Sequence, residues 1–538
     1  MLLETGNPDV KFKPRLVESV SPKNAMSNPE QLILDGQQRL TSLYQALSSG
    51  NVVETRDERG NAVNKWYYVE MGKALNNDRE ESVVSVPESR IVMGFGKQVL
   101  LDLSTPDKEY QQGYFPLSKI FDCAEWRSAY SQYWDYDKSK QKTWDAFERE
   151  VIKRFEQYLV PVILLKKDTP KEAICLVFEK VNTGGVPLNV FELLTATFAA
   201  DDFNLREDWS DKAKSLGKHK ILRDLQNTDF LQAVSLLTTR ERRDAAIEAG
   251  TKLDDAPGIS CKRKDILKLT RGDYDKWANA VVLGFERAAK FLFSQRIFAG
   301  RDLPYRTQLV PLAAIHAALT KELKTDTTKT KITRWYWSGV FGELYGSAVE
   351  SRFAKDLPQV LKWLEGGDEP DTVKEATFAG SRLLSLRTRN SAAYKGLSAL
   401  LMRDGGQDFL TGDPIDLELY FDGKVDVHHI FPQKWCGDME IKPKVADCIV
   451  NKTPLSARTN RVIGGKAPSH YLSKLQKKAG IDPARMDEIL ESHVIQPTAL
   501  RNDDFKSFFE ARRLELLARI EKAMSKPVAS DLASVKDA

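Results

Sequence analysis

The sequence predicts a multidomain α+β protein, because its three regions encode different kinds of secondary structure. Strand-like and helix-like runs alternate over residues 1–203, which indicates an α/β domain. Apolar residues recur mainly at helical spacing over residues 204–391, which indicates a helical connecting region. Residues 392–525 combine a strand–loop–strand–helix unit with further helices, and the small and polar residues 526–538 are predicted to form a disordered tail.

The composition is that of a soluble globular protein. Of the 538 residues, 42% are hydrophobic and 29% are charged, and the net charge of +4 neither requires nor excludes a nucleic-acid partner. Five cysteines without a Cys-x-x-Cys pair argue against a disulfide framework and fit a reducing cytosol. No signal peptide and no sufficiently long apolar run is found, so we expect a cytoplasmic protein that contacts no membrane.

In the first region, residues 31–34 are predicted to form a short buried strand that leads into a helix. That helix has one apolar face at positions i, i+3, i+4 and i+7, formed by Leu40, Leu43, Tyr44 and Leu47. Further strands are predicted within residues 65–70, 85–101 and 159–165.

The helical region carries an aromatic stripe at roughly helical spacing, formed by Trp335, Trp337, Phe341 and Tyr345. We interpret this stripe as core rather than as a ligand platform, because aromatic stripes at helical spacing are usually buried. The last predicted helix, residues 503–524, is expected to turn its apolar side inward through Phe505, Phe508, Phe509, Leu516 and Ile520.

Two of the six histidines in the chain are adjacent, His428 and His429, at the end of a strand-like run. Neighbouring residues on a strand point to opposite faces, so both can serve one site only if the strand ends there. Pro432 predicts that end, because proline cannot donate to a strand ladder. Thr453 and Pro454 then resemble a helix start, which would place Asn460 about two turns into a helix.

The run Asp426-Val427-His428-His429-Ile430-Phe431-Pro432-Gln433 resembles the HNH, or ββα-metal, nuclease finger. It is most similar to the HNH domain of RNA-guided CRISPR nucleases, where Asp-Val-Asp-His-Ile-Val-Pro-Gln precedes two asparagines nine residues apart. Asn451 and Asn460 match that spacing. The resemblance implies that His429 is the general base, that His428 and Asn460 bind one divalent metal, and that Asn451 braces the loop carrying the base.

His428 departs from the family pattern, which has a carboxylate at that position. A nitrogen ligand shifts metal preference from Mg²⁺ toward Mn²⁺, Ni²⁺ or Zn²⁺, so we expect Mg²⁺ or Mn²⁺, with Ni²⁺ as a further candidate. Asp426 is either a partner of a site histidine or a strand-edge surface carboxylate. Lys466 is a candidate DNA-phosphate contact, whereas His470 is interpreted as structural. The alternative for the whole set is a buried polar cluster.

The string Asp35-Gly36-Gln37-Gln38-Arg39 follows a strand and opens a helix, where backbone N–H groups attract an anion and an arginine can bind phosphate. The alternative is a polar turn with Arg39 in a surface ion pair. The string resembles the DGQQR motif of the ParB-like domain in GmrSD-type restriction endonucleases and the related SspE proteins. This resemblance implies a nucleotide site formed by Asp35, Gly36, Gln37, Gln38 and Arg39.

A second element of the same family is similar to Phe178-Glu179-Lys180-Val181-Asn182-Thr183-Gly184-Gly185-Val186-Pro187-Leu188, and it adds Asn182 and Gly185 to the implied nucleotide site. Family members usually carry a further segment with an early Gln-Arg and a Trp before the DGQQR strand. Because only 34 residues precede Asp35, either the start of the chain is assigned too late or the N-terminal domain has lost that segment, and nucleotide hydrolysis is implied less strongly than DNA cleavage.

The resemblance implies a metal-dependent endonuclease or nickase of a modification-dependent, type IV-like restriction system in phage defence, regulated by a nucleoside triphosphate. Its partner would be modified double-stranded DNA, with either altered bases or a phosphorothioate backbone. A single HNH site cuts one strand, so a double-strand break would need a homodimer or two events. The alternatives are a nucleotide-gated DNA-binding or sensing protein with an inactive HNH finger, and a homing-type nuclease, which leaves the DGQQR string unexplained.

Overall fold

The computed structural model confirms a mixed α+β chain, which divides into two compact units at residues 188 and 189. The predicted first domain extends further, to residue 203. The predicted boundary between residues 391 and 392 stays a prediction. The structure describes residues 1–6, 16–17, 29–34, 36–56, 61–76, 79–94, 98–170, 173–174, 177, 189–199, 201–319, 325–347, 349–422 and 424–529.

The first unit combines short strands with short helices. Its described strands are β1 Leu2–Glu4, β2 Gln31–Ile33, β3 Val53–Arg56, β4 Ala62–Glu70, β5 Val83–Pro87, β6 Ile91–Met93, β7 Val99–Asp102, β8 Tyr114–Pro116 and β9 Leu164–Leu165. Its described helices are α1 Gln37–Leu47, α2 Met71–Leu75, α3 Pro106–Gln112, α4 Ala124–Tyr133, α5 Lys138–Phe147 and α6 Lys153–Gln157.

These strands form three small sheets within the described part of the first unit. β1 lies between β2, which is antiparallel to it, and β9, which is parallel to it. β4 pairs antiparallel with β3, β5 and β8, and β6 pairs antiparallel with β7. An aromatic core containing Phe115, Trp126 and Trp144 packs under the β4 sheet, with the two indole rings stacked at 5.4 Å.

Three sequence-based details of the first unit differ from the structure. The strand predicted to be buried, β2, is exposed at Gln31 and only partly buried at Leu32 and Ile33. Only Leu164–Leu165 of the strand predicted over residues 159–165 pairs with a neighbour, and Leu159 is 87% exposed. Pro161 explains part of the difference, since it has no N–H group to donate to a ladder. On α1, Leu47 is buried as predicted, whereas Leu43 is 47% exposed, so the buried face of the helix is narrower than its periodicity indicates.

The second unit is mainly helical, as predicted. Its described helices are α7 Val190–Ala199, α8 Leu205–Leu216, α9 Asn227–Glu248, α10 Arg263–Ile266, α11 Arg271–Ser294, α12 Leu309–Ala318, α13 Asp326–Phe341, α14 Val349–Leu364, α15 Asp371–Glu375, α16 Ala392–Arg403, α17 Leu417–Asp422, α18 Gln433–Asp438, α19 Pro443–Ala446, α20 Ala457–Ile463, α21 Pro468–Ala479, α22 Pro483–Ser492, α23 Pro497–Arg501 and α24 Phe505–Met524. Its described strands are β10 Asp426–His429 and β11 Lys452–Leu455.

Apolar burial holds these helices together. The predicted aromatic stripe is confirmed as core, because Trp335, Trp337, Phe341 and Tyr345 are all buried. The last helix, α24, packs on α13, and its phenylalanines reach the loop after β10, where the Phe508 ring lies 4.9 Å from Phe431. None of the described helices is long and apolar enough to cross a membrane.

The beginning of the predicted disordered tail is ordered. Lys526 donates from Nζ to the carbonyl of Lys374, and the backbone N–H of Ala529 donates to the carbonyl of Phe378 at 2.9 Å. These backbone acceptors lie on a distant part of the chain, which is why local composition alone did not indicate them. Residues 530–538 lie outside the described residues.

Candidate functional site

The adjacent histidines end a two-stranded antiparallel sheet. In the register of β10 and β11, His428 lies opposite Thr453 and His429 lies opposite Lys452. Directly opposed residues of an antiparallel pair share a face, so the two histidines point to opposite sides of the sheet at its end. The two strands and the following helix are present in the predicted order, but the connection between the strands contains the short helices α18 and α19 rather than a plain loop.

The helix after β11 begins later than the sequence predicts. Thr453 and Pro454 lie within β11, and Ser456 caps α20 by accepting a hydrogen bond from the backbone N–H of Thr459 at 3.2 Å. Pro454 is tolerated because β11 pairs on one side only, which leaves its missing N–H without consequence. Asn460 therefore lies one turn into the helix rather than two, and it is half-buried.

His429 contacts a carboxylate that the sequence analysis did not identify. Its Nε2 lies 2.9 Å from Oδ1 of Asp447, which also accepts hydrogen bonds from Lys452 Nζ at 2.8 Å and from Gln433 Nε2 at 3.2 Å. Burial acts to raise the pKa of Asp447, but the hydrogen bonds from Lys452 and His429 outweigh it and lower that pKa. Asp447 is therefore ionised near neutral pH and accepts the proton on Nε2 of His429.

The electrostatic environment keeps His429 neutral. Burial is the largest influence and lowers the pKa of His429, the hydrogen bond to Asp447 raises it, and the charge of Lys452 lowers it. The net shift is downward. A neutral ring that donates from Nε2 keeps a lone pair on Nδ1, so this geometry leaves one nitrogen able to accept a proton.

His428 lies among positive groups. Burial, followed by the charges of Arg389 and His429, lowers the pKa of His428, so its imidazole is also neutral near pH 7. Its Nε2 atom is buried and has no hydrogen-bond partner within the described part of the chain. Arg389 forms an ion pair with Asp426, which precedes His428 by two residues on β10.

The loop after His429 is held by buried hydrogen bonds. Asn451 accepts from the backbone N–H of Phe431 at 2.9 Å and donates to the carbonyls of Phe431 and Ala446 at 2.9 and 2.8 Å. The Tyr471 hydroxyl donates to the carbonyl of Ile430 at 2.9 Å. Because Asn451 is completely buried and uses both ends of its amide, it fixes the backbone that follows the histidines.

Further buried polar residues form hydrogen bonds with β11 and with the start of α20. Arg512 donates to the carbonyls of Val450 and Lys452, and burial lowers its pKa to about 9. Asp408 accepts from the backbone N–H of Ser456 at 2.8 Å and from the hydroxyl of Thr459 at 2.5 Å. Asp408 therefore sets the start of the helix that carries Asn460.

His493 completes this support. Its Nε2 lies 2.6 Å from the carbonyl of Gln407 and therefore donates, while its Nδ1 accepts from the Thr453 hydroxyl at 2.6 Å. Thr453 lies opposite His428 and shares its face of the sheet, so the imidazole of His493 fixes β11 on that face. Asp447, Asp408, Arg512 and His493 were not found from sequence, because each reaches the site from a separate segment.

The residues present are compatible with a divalent metal, although a complete ligand set is not formed by protein groups alone. His428 offers a buried ring nitrogen that has no hydrogen-bond partner among the described residues, and Asn460 has a neutral amide oxygen. Among the described residues no group of three or more His, Cys, Asp or Glu side chains is arranged to hold a metal ion. Such a metal would therefore keep several water or phosphate ligands.

Lys466 and His470 both lie near the end of α20 and are exposed. Lys466 lies two residues after Gly464, whose φ of 59° lies in the left-handed region that favours glycine. His470 lies in the first turn of α21 and is exposed. No buried contact among the described residues supports its interpretation as a structural residue.

The DGQQR string lies only partly within the described residues. Asp35, Asn182 and Gly185 are outside them. Gly36 has a φ of 86° and immediately precedes α1, whose first turn has no side-chain cap. Gln37 donates from its side chain to the carbonyl of Ile33 at 2.7 Å, and Gln38 and Arg39 are exposed. The strand–glycine–helix arrangement expected for this string is thus present.

Comparison with known proteins gives one family and one full-length relative. Residues 9–199 match the family model described as the N-terminal domain of the GmrSD restriction endonuclease. The chain is also 26% identical to an uncharacterized protein of Methanocaldococcus jannaschii, over 95% of this chain and 88% of that protein. The family match supports a GmrSD-like restriction endonuclease family, for which DNA is the substrate. The match includes α7 but ends before the other helices of the second unit and the histidine-bearing sheet.

Proposed function

We propose that this protein is a metal-dependent DNA endonuclease or nickase of a modification-dependent restriction system in phage defence. Its candidate catalytic residues are His428, His429, Asn451 and Asn460. The family match over residues 9–199 supports the restriction-endonuclease class. The observation that carries the catalytic proposal is the strand–loop–strand–helix unit, in which His429 is held by Asp447 and its loop is braced by Asn451.

His429 is proposed to take a proton from the attacking water. Its neutral ring donates from Nε2 to Asp447 and accepts the water proton on Nδ1, as a general base must do near neutral pH. Asp447 then stabilises the imidazolium that forms, and Lys452 keeps that carboxylate ionised. Asn451 acts by positioning, because it contacts backbone rather than reacting groups.

His428 and Asn460 are the residues that would hold the divalent metal. When bound, such an ion offsets charge on the scissile phosphate and the leaving oxygen. Both ligands are neutral, so they leave the full positive charge of the ion to the phosphate. Arg389 also lies on the His428 side of the site, where its charge is paired with that of Asp426.

The DGQQR string is proposed to bind a nucleoside triphosphate that regulates cleavage. Gly36, whose φ lies in the left-handed region, immediately precedes α1, and the N–H groups of a helix N-terminus can bind a phosphate oxygen. Arg39 lies close to this turn, since a Cβ atom on Gly36 would be 3.9 Å from its Nη2. Asp35, Asn182 and Gly185 complete the proposed nucleotide site.

A plasmid-nicking assay tests the proposal. Purified protein is incubated with supercoiled DNA, plain or phage-modified, in Mg²⁺, Mn²⁺ or Ni²⁺, with and without nucleoside triphosphate. We expect metal-dependent nicking that disappears in His429→Ala and persists in His470→Ala, a matched exposed histidine. DNA binding without nicking in every metal would instead favour a nucleotide-gated DNA-sensing protein.

A further inference from the structure

We propose that α20 and α21 form a cationic surface that binds the phosphate backbone of duplex DNA beside the candidate catalytic residues, because their exposed lysines and arginines have no carboxylate partner in the part of the chain that the structure describes. The inference rests on the proposed function for the location of the cut. It adds the surface on which the duplex would lie.

Charge is segregated sharply in this part of the chain. Between Asp447 and Asp482, a stretch of 34 residues, the sequence contains seven lysines and arginines and no aspartate or glutamate. The whole chain carries a net charge of only +4, so the remainder of the molecule is net negative. A solvated helix face normally mixes both signs, and a block of one sign points to an anionic partner.

The charges of this stretch are available at the surface. Six of the seven side chains are exposed, and they are Arg458, Arg461, Lys466, Lys474, Lys477 and Lys478. None of these six forms an ion pair with any residue that the structure describes. The helices that follow differ, because Arg485, Arg501 and Arg513 each pair with a carboxylate.

The cationic surface adjoins the catalytic candidates. Arg458 and Arg461 lie three residues apart on α20 and flank Asn460 on the same helix. The stem of Lys434, another exposed lysine, reaches the loop after α20, where a Cβ atom on Gly465 would lie 3.4 Å from its Cδ. Lys434 follows Gln433, which donates to the same carboxylate that holds His429.

The dimensions and composition of the surface fit duplex DNA. The 12 residues of α21 extend the surface by about 18 Å, and B-DNA presents roughly one phosphate charge per 1.7 Å of its axis. Binding of single strands generally uses exposed aromatic rings, but Tyr471 is the one Phe, Tyr or Trp between residues 448 and 481, and it is buried. The surface therefore contacts backbone and reads no base sequence.

The test measures DNA binding apart from cleavage. Full-length protein is titrated against a fluorescent 30-base-pair duplex in EDTA, at several KCl concentrations. The variant Arg458→Gln/Arg461→Gln/Lys474→Gln/Lys477→Gln is compared with Lys252→Gln/Lys268→Gln/Lys290→Gln/Lys362→Gln, four exposed lysines elsewhere in the second unit. We expect at least a tenfold loss of affinity in the first variant. The slope of log affinity against log salt concentration should fall by an amount that corresponds to about three fewer phosphate contacts. The control should stay within twofold.

The outcomes separate this surface from the proposed activity. Equal DNA affinities of the two variants, or no DNA binding by the parent protein, would overturn the proposal that this surface binds DNA. If the first variant alone lost DNA binding, but the parent protein nicked DNA with none of the metals, the DNA-binding surface would be supported and the proposed endonuclease activity would be rejected. A loss that depends on the duplex sequence would contradict a backbone contact.

Discussion

At the residue scale, the site depends on a contrast between two adjacent histidines. His429 is held by Asp447, whereas the buried Nε2 of His428 has no hydrogen-bond partner among the described residues. The spacing of the HNH pattern predicts both histidines and both asparagines as site residues. It could not locate Asp447, because that carboxylate lies 18 residues from His429 and approaches through the fold of the intervening loop.

Replacing Asp447 by asparagine is expected to slow nicking by roughly 10–100-fold without weakening DNA binding. The neutral amide cannot stabilise the imidazolium and no longer selects the tautomer that leaves Nδ1 free. Nicking rates and DNA affinity of the variant give the comparison, with Asp438→Asn as an exposed control nearby. An unchanged rate in Asp447→Asn would show that this contact is unrelated to cleavage.

Replacing His428 by aspartate should shift the metal preference toward Mg²⁺. A carboxylate oxygen is a harder ligand than an imidazole nitrogen, and His428 stands where the HNH pattern has aspartate. The measurement is the ratio of the nicking rates in Mg²⁺ and Mn²⁺ for the parent and the variant. If the ratio stayed the same while nicking persisted, His428 would not be a metal ligand.

At the element scale, the strand–loop–strand–helix order was predictable, but its boundaries were not. Thr453 and Pro454 carry the residue types of a helix start, yet they lie in β11, and the true cap is Ser456. Strand pairing with β10 and the hydrogen bond between Thr453 and His493 outweigh the local preference of these residues for a helix start. The first strand of the HNH-like run, β10, was by contrast placed correctly, because Pro432 limits its length.

Replacing Asn451 by alanine is expected to destabilise the second unit by about 2–4 kcal/mol. The change leaves the Phe431 N–H and the carbonyls of Phe431 and Ala446 without partners in a buried position. Urea denaturation measures the loss, and nicking should fall in parallel because the loop after His429 is released. A variant as stable as the parent would show that water or backbone movement satisfies these groups.

At the scale of the whole molecule, composition and periodicity predicted a mixed α+β chain with a helical second half. The aromatic stripe on α13 was predictable because apolar residues at helical spacing are usually buried. The buried polar groups under the site sheet were not predictable, since His493, Asp408 and Arg512 meet it only through tertiary packing. Apolar pattern therefore indicated the helices, and polar contacts between distant segments shaped the site.

Two buried histidines predict that the second unit loses stability in mild acid. Burial lowers the pKa of both His316 and His493 to about 4, against an ordinary value near 6.5. Between these two values the unfolded chain binds protons that the folded chain does not, so stability falls as pH drops from about 6.5 toward 4. At pH 5.5 each histidine should cost about 1 kcal/mol relative to pH 7.

Urea denaturation at pH 7 and pH 5.5 measures this loss. His493→Asn should reduce the pH dependence by about 1 kcal/mol, whereas His470→Asn, at an exposed position, should leave it unchanged. The neighbouring Asp408 raises the pKa of His493 and Arg512 lowers it, but burial exceeds both. A pH dependence that is identical in all three proteins would contradict the assignment of neutral His493.

The most direct test of the central claim is single-turnover cleavage of an end-labelled modified duplex by the parent protein and by His429→Ala. Both proteins are used at saturating concentration in Mn²⁺, and DNA affinity is measured in parallel. We predict strand cleavage by the parent, loss of cleavage by at least 100-fold in the variant, and equal affinity for the duplex. Cleavage by His429→Ala at the parental rate would contradict the assignment of His429 as the general base and, with it, the proposed active site.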